Sequence, residues 1–425
     1  MFKENIEYEV ENLPTEVNGK TFIINQSNPN KYTHSYFKYP CKFIPEIPKW
    51  AILNFSKPGD IVFDPFAGSG TTLVESILND RIGLGTEIDQ VAKLLIKTKT
   101  TRLTTSELAE TEQHFNNIIK CVNSDKSSLI IPKINNIDHW YNETNKIQLG
   151  KILHYIGNIE KSNIKNFFLT CFVSIVKKTS NADDVSPKPY VSTKIKKKVN
   201  LAIDEFSSTY KRYFKEICNF SKLDINQYVD IIDGDALSFS INKLIDLAVT
   251  SPPYINAFDY VRTMRLENLW LETSTEETLK ETKKRYVGTE SIKLQYELDN
   301  LSILACSDLL KDYFNQIIQK DKKRACIVKK FFEDMLTNLQ RVYSSLKENS
   351  KYVIVIGNST IRKVEIESWK VLKELAENIG FSYEGVFRYK IKNPYIRIPR
   401  KNRGGQVIYD YVLILNKEKK NGTKK

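Results

Sequence analysis

Short apolar runs alternate with stretches of helical periodicity at both ends of the chain, and the middle is different. "IVFD" (Ile61 to Asp64) reads as a short buried strand and "TTLVESILN" (Thr71 to Asn79) as a helix. "RIGLGTEI" (Arg81 to Ile88) is a second strand and "VAKLLIKT" a second helix. Such alternation with short connections predicts a parallel sheet with helices on its faces. Ahead of it, residues 1–41 are polar and irregular, and a short helix begins near Pro48.

From about Thr101 to Lys222 the pattern becomes mainly helical, as in "LGKILHYIGNI" and "KNFFLTCFVSIVKK". The polar, Pro-containing stretch Thr179 to Asn200 interrupts it. Strand signals return in "YVDIIDGDA" and "LIDLAVTSPPY", and a polar helical segment covers about Glu272 to Lys330. A helix ("FFEDMLTNLQRVYSSLK"), a strand ("YVIVIGN") and another helix ("ESWKVLKELAENIG") follow. Two closing strands, "YEGVFRYKI" and "VIYDYVLILNK", suit an antiparallel pair, and the tail "KEKKNGTKK" is expected to be disordered.

A chain of 425 residues is longer than one core usually holds, which predicts two domains or one domain with a large insertion. Hydrophobic residues at 41% and charged residues at 27% are ordinary for a soluble globular protein. The net charge of +13 favours a polyanionic partner, although a merely Lys-rich proteome gives the same balance. The six cysteines form no C-x-x-C pair and the four histidines show no metal spacing. Reduced, mostly buried thiols and no metal are expected. The N-terminus is acidic and mixed, unlike a signal peptide, and no apolar run approaches the ~20 residues of a membrane span. A cytoplasmic location is expected.

"VFDPFAGSGTT" (Val62 to Thr72) is the strongest local motif. A strand ends in Asp64, then Gly68 and Gly70 precede a helix that opens near Thr71. Glycines allow a tight turn and close approach of the backbone to a ligand, and the helix start presents free N–H groups. Glu87 stands 23 residues after Asp64, near the ~20 at which an acidic residue holds ribose hydroxyls in a nucleotide-binding β-α-β unit. The turn is neither G-x-G-x-x-G nor a Walker loop. Its acidic opening suits a positively charged ligand group such as an amino acid ammonium. "LAVTSPPYIN" (Leu247 to Asn256) is the second motif: two prolines cannot lie inside a central strand, so the strand stops at a rigid end.

Together these motifs resemble those of S-adenosylmethionine-dependent DNA amino-methyltransferases. "DPFAGSGTT" resembles their motif I, "GTEID" motif II and "TSPPY" motif IV, while "HSYFKYPCKFIPEIP" (His34 to Pro48) resembles the segment that closes over the methionine end of the cofactor. The resemblance implies an α/β fold: a Rossmann-like methyltransferase sheet, mostly parallel with a terminal antiparallel hairpin, carrying a helical insertion. It divides the chain into a cofactor-binding part (1–100), a helical insertion (101–228) that is a candidate for target recognition, and a Ser-Pro-Pro-Tyr part (229–417) containing the polar helical segment 272–330. Residues 418–425 form the basic tail.

The resemblance also implies residue roles. Asp64, Gly68 and Gly70 would line the methionine moiety of S-adenosyl-L-methionine, and Phe66, Ala67, Ser69, Thr71 and Ile88 belong to the same cofactor site. Glu87 would hold the ribose. Asp235 would lie near the adenine, and it is almost equally a helix cap or turn aspartate. Ser251 and a carbonyl of Pro252–Pro253 would hold the target amine, and Tyr254 would stack on a flipped base. Serine at position 251 is associated in this family with cytosine N4, with adenine N6 the alternative; a third reading is an RNA base amino-methyltransferase. The implied partner is double-stranded DNA, with a cognate restriction endonuclease that shares the target site without a stable complex. Asp259, Tyr260, Arg262 and Arg265 are candidates to face the substrate, or form a half-exposed amphipathic helix. Asn358 faces the same crevice or caps the next helix. The basic loops Ser186 to Lys198 and Asn393 to Gly405 are candidate phosphate contacts.

Overall fold

A computed structural model describes residues 2, 6–25, 31–42, 44–124, 126–194, 196–255, 259–392 and 407–419. The basic loop Asn393 to Gly405 and the end of the tail lie outside them.

The first β-α-β-α unit forms where the pattern places it: β3 (Ile61–Asp64), α2 (Thr71–Leu78), β4 (Ile82–Gly85) and α3 (Gln90–Thr100), preceded by α1 (Glu46–Phe55). Strands β5 (Val229–Ile231), β6 (Ile245–Thr250) and β7 (Leu346–Gly357) complete the parallel part, and β10 (Phe381–Lys390) and β11 (Tyr409–Lys417) form the terminal antiparallel pair. Their order is β10-β11-β7-β6-β3-β4-β5, with β11 antiparallel to both neighbours. This is the Rossmann-like methyltransferase sheet. The direction of winding reverses between β3 and β6, so the crevice at their carboxyl ends is the expected ligand site.

Both faces of the sheet are covered, which is why its strands are continuous apolar runs. Along β7, Tyr352, Ile354 and Ile356 pack toward α14 (Lys322–Ser345) and α15 (Ser368–Ile379), while Val353 and Val355 pack toward α1. The two-residue period assigns alternate side chains to opposite faces. Helices α4 (Thr105–Val122), α6 (Glu143–Gly157), α7 (Ser162–Val176) and α8 (Ala202–Ser221) share one apolar cluster with Leu94 and Leu95 of α3 and with Trp270 of α10 (Arg265–Trp270). Their core is thus continuous with the flank of the sheet.

Two features depart from the sequence reading. The stretch read as irregular contains β1 (Glu7–Val10) and β2 (Thr21–Ile24), which extend the sheet beyond β10. Each is four residues long, and β2 finds its partner more than 360 residues away, which no local pattern reveals. After Asn358 comes no helix but a small hairpin, β8 (Ser359–Ile361) and β9 (Val364–Ile366). Its turn places Arg362 and Lys363 at φ 51° and 65°, a conformation usually announced by Asn-Gly. The cysteines are free thiols, but only Cys171 and Cys326 are buried; Cys41 is exposed. Among the described residues no helix is long and apolar enough to cross a membrane.

Candidate active site

At the end of β3 the Asp64 carboxylate is buried and fully engaged. It accepts Thr72 Oγ1 at 2.6 Å, Thr250 Oγ1 at 2.6 Å and the Phe66 N–H at 3.0 Å. Burial pushes its pKa up to about 6, against those hydrogen bonds. Asp64 therefore ties together β3, α2 and the tip of β6, the strand that leads into Ser251. Its carboxylate is occupied by these partners, and it is not among the residues that line the cleft above it. Gly70, the residue before α2, also lies behind the cleft wall. It sits at φ 81°, and a Cβ there would be 3.0 Å from Ile96 Cγ1. Only glycine meets both demands without strain.

The cleft is lined by Phe66, Ala67, Gly68, Ser69 and Thr71 of the turn, and by Glu87 and Ile88 beyond β4. Asp235, Ser251 and Pro253 line it too, whereas Pro252 and Tyr254 do not. Glu87 accepts Gly68 N–H at 2.8 Å, Ile88 N–H at 2.8 Å and Asp89 N–H at 2.9 Å. Burial nevertheless raises its pKa to about 7. Asp235 is held by Arg285 at 2.9 Å and by Ser238 Oγ at 2.8 Å, so it is also the turn aspartate of the alternative reading.

Ser69 and Thr71 show what the cleft is built to receive. Each is at least nine-tenths buried, and Ser69 Oγ and Thr71 Oγ1 have no hydrogen-bond partner among the described residues. Buried hydroxyls are ordinarily satisfied, so a polar ligand group in the cleft fits both. Nearby, Lys42 lines the cleft and donates to the His34 carbonyl at 2.9 Å, with burial lowering its pKa to about 8. An anionic ligand group beside it would push that pKa back up. Lys99 is fully buried behind the turn, donates to the Ser69 carbonyl at 3.0 Å, and has its pKa pushed down by burial.

Another wall of the cleft joins Tyr260 and the His34 to Pro48 segment, both singled out in the sequence, to Tyr286, which was not. Tyr39, Tyr260 and Tyr286 form a run of stacked rings, with centroids 6.3 Å apart for the first pair and 5.8 Å for the second. The segment carrying Tyr39 is pinned to α2 by His34 Nε2 and Glu75 Oε1 at 2.7 Å, and to α8 by Tyr36 stacked on Tyr213. Arg285 and Tyr286 come from the polar segment after residue 272, where no motif marks them. Asn358 follows β7, and its amide oxygen is buried without a partner.

The sequence pattern of the DNA methylase family matches residues 5–98, which span the glycine-rich turn and Glu87. The chain is similar to the DNA methylases over that part. It is 27% identical over 420 residues to "Type II methyltransferase M.MvaI" of Kocuria varians, covering 92% of the chain and 91% of the relative. It is 22% identical to "Type II methyltransferase M.AvaI" of Nostoc sp. over 85% of the chain and 81% of the relative. It is 23% identical to "Type II methyltransferase M.BsoBI" of Geobacillus stearothermophilus over 72% and 64% respectively.

Proposed function

We propose that this protein methylates the exocyclic N4 amine of cytosine in duplex DNA, as the protective enzyme of a restriction–modification system. The observation that carries this reading is the Ser251 hydroxyl. It stands at the cleft beside Pro253, and among the described residues it makes no hydrogen bond. S-adenosylmethionine supplies an electrophilic methyl group on a sulfonium. The chain's task is to present the amine. Ser251 accepts one amine N–H and a carbonyl of the Pro252–Pro253 segment accepts the other, which turns the lone pair toward the methyl. That is positioning, and it needs no strong base. The serine in this position supports cytosine N4, and the printed names of the relatives support the restriction–modification setting.

For the cofactor, Ser69, Thr71 and Lys42 suit the methionine carboxylate, Glu87 the ribose hydroxyls, and Asp235 with Ile88 the adenine. Gly68, Phe66 and Ala67 form the floor of the turn. Ribose hydroxyls donate to the ionised form of Glu87. Its pKa near 7 in the free protein means that binding at neutral pH draws the group toward the carboxylate and releases a proton. Cofactor affinity is therefore expected to rise with pH between about 6 and 8, and Glu87→Gln is expected to flatten that rise. Calorimetry across this range checks it, and a pH-independent wild-type affinity would contradict the role.

Contacts to the DNA backbone fit a second cleft lined by Trp140, Pro189, Arg262 and Arg265. The stretch leading into the first basic loop is moored there, with Asn181 N–H donating to the Trp140 carbonyl at 2.7 Å, and Lys188, Lys194, Lys196 and Lys198 are exposed along the loop. Arg262→Ala is expected to weaken DNA binding and to reduce the slope of log affinity against log salt by about 1. Titrations at several salt concentrations measure that slope.

The function itself is tested with methyl-labelled S-adenosylmethionine. Label is expected in DNA from a host without methylation, and not in tRNA. Label in tRNA alone would overturn the DNA reading in favour of the RNA enzyme.

A further inference from the structure

Tyr254 does more in the structure than offer a ring. Its hydroxyl donates to Asp410 Oδ1 at 2.5 Å, and the Tyr389 hydroxyl donates to Asp410 Oδ2 at 2.9 Å. Tyr389 and Asp410 face each other across β10 and β11, and Asp410 is also the cross-strand partner of Gly357 at the end of β7. The ring of Tyr254 lies directly against Gly357. A Cβ at that glycine would be 2.6 Å from Tyr254 Cε2, so no larger residue fits without moving the ring. On the other side, the Tyr254 carbonyl would be 3.2 Å from a Cβ on Gly288, which has φ 77°. The tyrosine is thus fixed at its hydroxyl, its ring edge and its backbone.

Asp410 is more than nine-tenths buried and forms no ion pair among the described residues. A carboxylate in that setting is costly to desolvate, and burial raises its pKa. If the cluster served packing alone, phenylalanine at 254 and an apolar residue at 410 would fill the space without that cost. What the carboxylate adds is direction: it anchors the hydroxyl at the far end of the ring axis, and with the ring edge held against Gly357 the two contacts together set the plane of the Tyr254 ring.

We propose that Asp410 is a positioning residue, holding the Tyr254 ring in the plane on which the flipped base stacks, with Tyr389 steadying the carboxylate. This rests on the reading of Tyr254 as the stacking residue. The effect is on the DNA side of the reaction, because neither Tyr254 nor Asp410 lines the cofactor cleft.

The test is a double-mutant cycle in the full chain, read as methyl transfer to unmodified DNA at saturating cofactor. Tyr254→Phe and Asp410→Leu are each expected to lower kcat/KM for DNA about tenfold, since small misplacements at a reacting centre carry effects of that size. The double variant is expected to be no worse than either single one, because both remove the same interaction. Cofactor Kd is expected to stay within about threefold of wild type, and Tyr389→Phe to give a smaller loss of the same kind. Multiplying losses would overturn the proposal, as would an Asp410→Leu enzyme with wild-type kcat/KM. Equal losses of cofactor affinity and DNA turnover would overturn it too, by showing a structural role. Tyr254→Ala separates this from the underlying reading: if that variant retains turnover, stacking on Tyr254 fails whatever Asp410 does.

Discussion

Ser251→Ala is expected to lower kcat by about a hundredfold or more, while cofactor affinity changes little. The size follows from removing one preorganised polar partner of a reacting group, which typically costs 10²–10³ in rate. The split follows from where the residue stands. Its hydroxyl faces the cleft at the tip of β6 and supports nothing else, since it makes no hydrogen bond among the described residues. Alanine therefore removes the acceptor and leaves Pro252, Pro253 and the strand in place. Single-turnover rates and cofactor titration on the same preparation check both halves. A parallel loss of cofactor affinity would assign Ser251 to the cofactor instead of the amine.

Asp64→Ala is expected to act on the fold. It would leave two buried threonine hydroxyls and a backbone N–H without their shared acceptor. Each orphaned group costs on the order of 1–3 kcal/mol, offset in part by no longer burying a carboxylate, so a net loss of about 3 kcal/mol is expected. Urea unfolding measures it. Asp64→Asn is expected to lose less, because the amide oxygen still accepts and the threonine hydroxyls can accept from its NH₂. The pH dependence has a definite sign. The carboxyl of Asp64 has its usual pKa of 3.8 when unfolded and about 6 when folded. Below both values it contributes nothing; as pH rises between them the unfolded chain alone releases the proton and the fold loses stability. Asp64→Asn should remove that part of the pH dependence.

How much of this was legible in the chain depends on distance along it. The glycine-rich turn was readable because it is local: strand, two glycines and helix start within a dozen residues, each with its own steric reason. The same holds for the rigid end of β6. What the pattern could not show is which way a side chain points. Asp64 belongs to the motif, yet its carboxylate turns toward Thr72 and Thr250, and the residues of the turn that line the cleft include its neighbours Ser69 and Thr71. Nor could it show what topology gathers. Tyr39, Tyr260 and Tyr286 come from three separate segments to make one wall. Asp410 reaches Tyr254 across 156 positions, through strand pairings that only the folded sheet defines.

The central claim is that Ser251 presents the N4 amine of cytosine to the cofactor methyl. The most direct measurement digests DNA to nucleosides after reaction with the purified enzyme and S-adenosylmethionine, and identifies the product by mass spectrometry. The account predicts N4-methylcytosine, absent from the Ser251→Ala reaction. N6-methyladenine as the product would contradict it.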